Sequence, residues 1–467
     1  MNGNTTGKTS DRTGAPAPVT RQLGAFVASM GTRNDVPAEA FEVAKLGFTD
    51  CIGTMLAGGI EDAPRIIRDV LKAPAGAASL LLTGSTAPAP EAALINGTAA
   101  HALDYDDVAL RGHPSTVIVP AILAEADEQG SSGAEALRAF IAGYEVWAEI
   151  ALRDPDQHHM KGWHPTGIFG APAAAAACAV LLKLDAETTA HALALAVSGS
   201  AGLMANFGSM TKPFHAGQSA RAGLLAARLA KAGFTASLDA FEHAQGYLAA
   251  VSPAGKADRT SPIKAGTAWR ILEYKLNIKK YPICYGTHRA IDGMLDLLES
   301  NPGIKPDDVA KVTVLTSRRS HTILRNARPK TGLEAKFSMQ FAMASSLVAK
   351  RVGMAELTDG FVLRPEIQGL LPKVEMEIDD RQNEVGYSPY DLVTVDLKDG
   401  RRIVGREVAE ARGGANSPLK PTELETKFMD CVQAGRPKSG AKKDGAKLFT
   451  ALQHLDHVRD MRELRVG

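Results

Sequence analysis

The sequence predicts a mainly α fold: a large helical-bundle domain joined to a smaller α+β lid domain with an antiparallel sheet. Three observations lead there. Apolar residues recur at three- and four-residue spacing from about Asp35 to Ala250, period-two alternation takes over after about Arg270, and helical spacing returns from Lys420. The predicted organisation is a lead-in over 1–20, a helical domain over 21–268, the lid over 269–412 and C-terminal helices over 413–467 that return to the helical domain. A chain of 467 residues also exceeds what one hydrophobic core usually serves.

The first residues, MNGNTTGKTSDRTGAPAPVT, are polar and rich in Gly and Pro, without the apolar core of a secretory signal, and read as a disordered lead-in. In DVPAEAFEVAKLGFTDCIGTMLAGG the stripe Phe41, Ala44, Phe48, Ile52 and Met55 predicts a helix with Pro37 in its first turn and Gly58 at its end. GAPAAAAACAVLLKLD and DAETTAHALALAVSG predict neighbouring helices, with Asp185 as a cap and alanines that let backbones approach closely. SARAGLLAARLAKAGF predicts a helix starting near Ser219 and stopped at Gly233. VAKVTVLTS, KVEMEID and DLVTVDLKDGRRIVGREV predict strands, with Asp399-Gly400 as a hairpin turn. THRAIDGMLDLLES and EAKFSMQFAMASSLVAKR predict the helices that accompany the sheet. In the tail TELETKFMDCVQ predicts a helix, whereas GRPKSGAKKDGAK reads as a flexible basic loop.

Composition narrows the function. With 45% apolar residues, 22% charged residues and a net charge of +1, the chain has the profile of an ordinary soluble protein and no global field. No basic stripe suits a nucleic acid and no segment suits a membrane span, so a small-molecule site and a cytoplasmic location are expected. Cys51, Cys178, Cys284 and Cys431 lie far apart without a C-x-x-C pair, which argues against a disulfide framework, zinc or an iron-sulfur cluster. Neither a Gly-rich nucleotide fingerprint nor a G-x-S-x-G elbow stands out.

Four segments carry candidate chemistry. In HALDYDDVALRGHPS, Asp104, Asp106 and Asp107 crowd one loop or helix end, where like charges push at least one carboxyl pKa upward, as a general base requires. The same cluster also reads as a solvated acidic turn, or as the magnesium site of a helical metal-dependent enzyme. His113 and His164 each precede proline, which places both on loops, where an imidazole can clamp a carboxylate or shuttle a proton. GSMTKPFHAGQSARAG offers Lys212 and His215 ahead of a helix start that would attract an anion. NIKKYPICYGTHRAIDG offers Lys279, Lys280, Cys284, His288 and Arg289 where the bundle meets the lid, a common place for a ligand cleft. Together they form a set of cations and imidazoles suited to a polycarboxylate, beside an acidic loop that could move a proton without a metal or cofactor.

These segments, in this order, resemble the MmgE/PrpD family: NGTAAHALDYDDV with GHPSTVIVPAILA, then GWHPTGIFGAPAAAA, GSMTKPFHAGQSARAGLLAA and KKYPICYGTHRAIDG. The likeness runs from about Gln22 to Cys431. It implies a large helical domain with an α+β lid, usually a homodimer, and metal-free and cofactor-free proton chemistry next to carboxylates. Family members include 2-methylcitrate dehydratases, cis-aconitate decarboxylases and an iminodisuccinate epimerase. The resemblance makes Asp104, His113, His164, Lys212 and Lys279 the pocket residues. Lys212, Lys279 and His113 would clamp carboxylates, and Asp104 and His164 would handle protons, unless Asp104 only orients a histidine. Cys284 stands where the decarboxylases have histidine, which weakens decarboxylation and makes dehydration of the 2-methylcitrate type the expectation, and VALRG is shorter than their loop, so pocket residues are not matched across it. TKPFHAG in turn lacks the tryptophan that many dehydratases carry before the lysine. The alternatives are decarboxylation, epimerisation and a non-catalytic relative.

Overall fold

The computed structural model describes residues 18–382, 388–436 and 441–465. Residues 1–17 of the expected lead-in therefore lie outside the described residues. The helical part begins with α1 (Val19–Ser29), α2 (Ala38–Gly58) and α3 (Asp62–Leu71), followed by a short ribbon of β1 (Ala78–Ser79) and β2 (Thr86–Ala87). It continues through α4 (Ala89–Ala102), α5 (Ser115–Gln129), α6 (Gly133–Leu152), α7 (Pro165–Leu181), α8 (Ala186–Ser198) and α9 (Thr211–Lys231). Two single-turn helices, α10 (Tyr247–Val251) and α11 (Arg270–Tyr274), lead to the second part.

Small residues set the packing of this bundle. A Cβ on Gly217 of α9 would sit 2.2 Å from the Leu94 carbonyl of α4, and one on Gly223 would sit 2.3 Å from the Ala171 carbonyl of α7. Helices α4, α7 and α9 thus touch backbone to backbone at these two positions, which only glycine permits. The Asp185 carboxylate accepts from the Thr188 amide at the start of α8, as its sequence predicts.

The second part holds α12 (His288–Ser300), β3 (Val309–Thr316), α13 (Arg318–Ile323), α14 (Gly332–Ala335) and α15 (Met339–Ala349). After α16 (Asp359–Val362) and α17 (Pro365–Leu370) come β4 (Val374–Ile378), β5 (Leu392–Leu397) and β6 (Arg402–Val404). The strands form one sheet in the order β4-β3-β5-β6. Pairs β3/β5 and β5/β6 are antiparallel, the latter joined at Gly400 with φ +88°. Strand β4 joins β3 in parallel, because helices α13 to α17 carry the chain back across the sheet before β4 begins. The sheet is therefore mixed. Val312, Val314, Val393 and Val395 turn to one buried face under α12 and α15.

The chain ends in α18 (Pro421–Gly435) and α19 (Ala441–Gln453), which pack on α2. One core draws on residues between Val19 and Ile278 and again between Leu424 and Leu464; a second draws on residues between Tyr281 and Leu397. Two local expectations change. The helix expected near Ser219 starts at Thr211, because proline is accepted in a first turn and Pro213 sits there. The stretch read as a flexible basic loop is helical from Ala441, while residues 437–440 lie outside the described residues. Among the described residues no helix is long and apolar enough to cross a membrane.

Candidate active site

The loop between α4 and α5 carries three non-glycine residues in left-handed backbone conformations, Asp104 (φ +50°), Leu110 (φ +46°) and Arg111 (φ +75°). Backbone hydrogen bonds between Val108 and Asn277, at 2.9 and 3.0 Å, tie this loop to the segment that carries Lys279. His113 closes it, and His164 caps α7 in the extended geometry that a following proline favours (φ −86°, ψ +108°). Lys212 and His215 lie on the first turns of α9. Four distant stretches are thereby brought together.

They meet at a cavity of about 340 Å³ between the two cores. Asp104, His113, His164, Lys212, Lys279 and Cys284 line it. His215 and His288 are not on its wall. His215 stands behind His164, with Nδ1 3.1 Å from the His164 Nδ1. His288 is buried between Tyr281 and Tyr285 with Nε2 3.2 Å from the Ile283 carbonyl, and so braces the turn that presents Cys284. Lys280 is also off the wall, paired with Glu423 at 3.0 Å, whereas Arg289 is on it, paired with Asp391 at 2.7 Å.

Asp104 is the electrostatic centre. Its Oδ1 accepts from Lys212 Nζ at 2.9 Å and from Lys279 Nζ at 2.8 Å, while Lys279 also donates to the Asp104 carbonyl at 2.7 Å. Burial opposes the Asp104 charge, but Lys212 and Lys279 outweigh it and hold the carboxyl far below the usual range. A carboxylate bound by two ammonium groups is a counterion and a poor base. Asp107 is the member of the cluster whose pKa is raised, by burial and then by Asp50 and Asp106. It is fully buried and does not line the cavity.

Asp106 orders the imidazoles. Its Oδ1 lies 2.8 Å from His101 Nδ1 and its Oδ2 lies 2.9 Å from His113 Nδ1. His101 Nε2 in turn meets Lys212 Nζ at 2.8 Å. Because the ammonium donates, His101 must offer a lone pair at Nε2 and carry its proton at Nδ1, facing Asp106. Burial, opposed by Asp106, keeps His101 neutral with its pKa down to about 3. His113 is also lowered by burial against the pull of Asp106. Among the described residues no carboxylate pairs with His164; burial and then Lys212 hold it well below the usual histidine range. Its Nε2 is buried without a hydrogen-bond partner.

Donor atoms of His101, Asp104, Asp106 and His113 lie within 4.8 Å of one another, the spacing of a cation site. His101, Asp104 and one Asp106 oxygen are already engaged, and an entering cation would face Lys212 and Lys279 at the Asp104 carboxylate. The three aspartates read as a magnesium cluster do not share a centre, since Asp107 turns elsewhere. An anion suits the cavity better, because Arg111, Arg289 and Arg319 add three guanidinium groups to its wall.

His101, Asp106, Arg111 and Arg319 complete the site beyond the residues singled out in the sequence. His101 could have been found as the polar residue ending the apolar run of α4, five positions before Asp106. Nothing local distinguishes Arg319 from its exposed neighbour Arg318.

Comparison with known proteins follows the same outline. Residues 21–260 match the MmgE/PrpD N-terminal domain, and residues 281–447 match the MmgE/PrpD C-terminal domain. Human cis-aconitate decarboxylase is 29% identical over 350 residues, covering 73% of this chain and 72% of that protein. The cis-aconitate decarboxylase of Aspergillus terreus is 25% identical over 490 residues, covering 98% of each. A cis-aconitate decarboxylase-like protein of Aspergillus oryzae is 25% identical over 424 residues, covering 85% of this chain and 86% of that protein.

Proposed function

The chain belongs to the MmgE/PrpD family, and from that membership we propose that it is a lyase acting on a small di- or tricarboxylate without a metal or organic cofactor. The observation that carries this reading is the meeting of Lys212, Lys279, Arg111 and Arg319 with His113 and His164 around one cavity. Cations there can hold carboxylates and favour the negative charge that develops at a neighbouring carbon.

Among the family's reactions, decarboxylation of a cis-aconitate-like tricarboxylate now has the better support, because the relatives above bear that name. The carbon–carboxylate bond breaks, carbon dioxide leaves, and the electron pair spreads into the remaining unsaturated carboxylate, which the lysines and arginines hold. An imidazole then returns a proton to carbon. His113 can carry that proton because Asp106 stabilises its cationic form; His164 delivers from Nε2. Dehydration of a 2-methylcitrate-like substrate is the second reading, favoured by Cys284 in the position where the decarboxylases have histidine. It uses the same clamp, with one imidazole removing a proton and the other protonating the departing hydroxyl. The cytoplasmic location and the homodimer belong to the same reading, and light scattering at twice the chain mass checks the latter.

The test is turnover by the full-length protein, in the presence of a chelator, on cis-aconitate, 2-methylcitrate and an amino-dicarboxylate. Release of carbon dioxide from cis-aconitate is expected, with a loss of about 100-fold or more in His164→Ala and Lys212→Ala. Turnover of 2-methylcitrate alone would select the second reading. A folded wild-type protein inert toward all three, or variants as active as wild type, would sink the proposal.

A further inference from the structure

We propose that His215 is a positioning residue forming the outer half of a two-imidazole proton relay whose inner half is His164. The proposal deepens the reading above and rests on its use of His164 as a proton carrier. Its basis is the 3.1 Å approach of the two Nδ1 atoms. Two ring nitrogens at that separation form a hydrogen bond when one carries a proton and the other offers a lone pair. Both rings are kept neutral: burial and then Lys212 lower His164, and the same two causes, in the same order, push His215 down to about 4. The pair therefore shares one proton.

Where that proton sits decides what the cavity meets. With the proton on His215 Nδ1, His164 carries its own on Nε2 and donates. With the proton on His164 Nδ1, the Nε2 of His164 is a lone pair and accepts. That Nε2 is buried and unpartnered, on a residue 2% exposed that lines the cavity.

A neutral imidazole has a single N–H bond, so an isolated His164 that gave it away would be left as a buried imidazolate. The relay avoids this. As the His164 Nε2–H bond breaks toward the substrate, the His215 Nδ1–H bond breaks and a new Nδ1–H bond forms on His164. His215, which keeps 9% exposure, takes a proton from water at its Nε2. One proton enters, one leaves, and neither ring ends charged. Reversed, the same path withdraws a proton.

The fold holds the two rings in place from separate elements. His164 is the N-cap of α7 and His215 lies one turn beyond Lys212 on α9. Gly202 joins them: its carbonyl accepts from the His164 amide at 2.9 Å, and a Cβ there would come within 3.1 Å of His215 Cγ. Lys212, His101 and His113 also face His164 electrostatically, but its Nδ1 hydrogen bond is to His215.

Two substitutions separate relay from support. His215→Asn keeps a polar atom near the Nδ1 position and can still orient His164, but it has no second nitrogen through which to pass a proton. The relay predicts that kcat falls about tenfold or more in His215→Asn while KM stays within about twofold. Rescue of wild-type kcat by asparagine would mean support alone and overturn the relay. The second readout needs no turnover: nitrogen NMR of the full-length protein labelled with 15N-histidine and free of substrate. Wild-type His164 should show Nδ1 and Nε2 shifts between the two neutral tautomers, collapsing to a single tautomer in His215→Phe. Unchanged His164 shifts in that variant would overturn the proposal. If no polycarboxylate is turned over, the functional reading falls separately and the NMR result alone decides whether the rings share a proton.

Discussion

Asp106 gives each of its two oxygens to a different histidine, His101 at 2.8 Å and His113 at 2.9 Å. His101 Nδ1 donates to Oδ1, while the His113 Nδ1 hydrogen bond is to the Asp107 carbonyl with Asp106 Oδ2 as its charged neighbour, so both rings turn Nε2 away from Asp106, one toward Lys212 and one toward the cavity. Asparagine offers one acceptor and one donor, so Asp106→Asn forces one ring to present a lone pair at Nδ1. A loss in kcat of about 100-fold is expected, read by steady-state kinetics. Wild-type kcat would mean that the Asp107 carbonyl, 3.0 Å from His113 Nδ1, suffices to orient that ring. Asp104 poses a different problem, because Lys212 and Lys279 are both buried against it. Asp104→Ala leaves two ammonium groups without their counterion, and a destabilisation of about 3–5 kcal/mol is expected in urea unfolding. A smaller change would mean that water or the lysines' other partners replace the carboxylate. The sequence makes His113 and His164 legible because a following proline keeps them out of helices. It hides His101, since a histidine inside an apolar helical run looks like core, and it hides Arg319, whose role comes only from where β3 ends.

At the scale of elements, the position of α9 relative to α4 places Lys212. Gly217 faces the α4 backbone, where a Cβ would stand 2.2 Å from the Leu94 carbonyl and 2.4 Å from the Thr98 hydroxyl. Neither is the far end of a flexible side chain, so Gly217→Ala must move one helix. The change should cost about 1–3 kcal/mol in urea unfolding and lower kcat, because Lys212 moves with α9. Gly31→Ala, with nothing within 4 Å of the added carbon, is the control. Equal behaviour of the two variants would refute the close-contact argument. Periodicity shows that these helices and strands exist, but it misplaces one boundary: the helix expected near Ser219 starts at Thr211, with Pro213 in its first turn. Strand direction is likewise absent from alternation. What makes β4 parallel to β3 is the helical crossover between them, while Asp399-Gly400 enforces the opposite sense for β6. Lysines in the last helix hid α19 in the same way, since they read as a solvated loop until its apolar side met α2 and α18.

For the whole molecule, the buried neutral histidines make stability depend on pH. His101 and His288 are lowered to about 3, and His158 and His215 to about 4, with burial the largest cause in each. In the unfolded chain the same rings titrate near 6.5. Between pH 6.5 and those lowered values the unfolded state therefore binds more protons than the folded one, and stability falls as pH falls. Each such histidine contributes a loss on the order of 1 kcal/mol per pH unit through that window. Four carboxyl groups oppose the trend. Glu145 is raised to about 7, mainly by burial, Asp107 is raised by burial and by Asp50 and Asp106, and burial also raises Asp50 and Asp391, so all four take up protons on the folded side. His113, His159 and His164 are lowered as well, chiefly by burial, so seven lowered histidines against four raised carboxyls leave a net loss toward acid. The urea midpoint should accordingly drop between pH 7.5 and pH 5. His288→Gln can keep a donor to the Ile283 carbonyl while removing one titrating ring, so its midpoint should fall less steeply by one histidine's share. A slope identical to wild type would mean that His288 is protonated in the folded protein, and its burial between Tyr281 and Tyr285 would no longer account for the acid sensitivity.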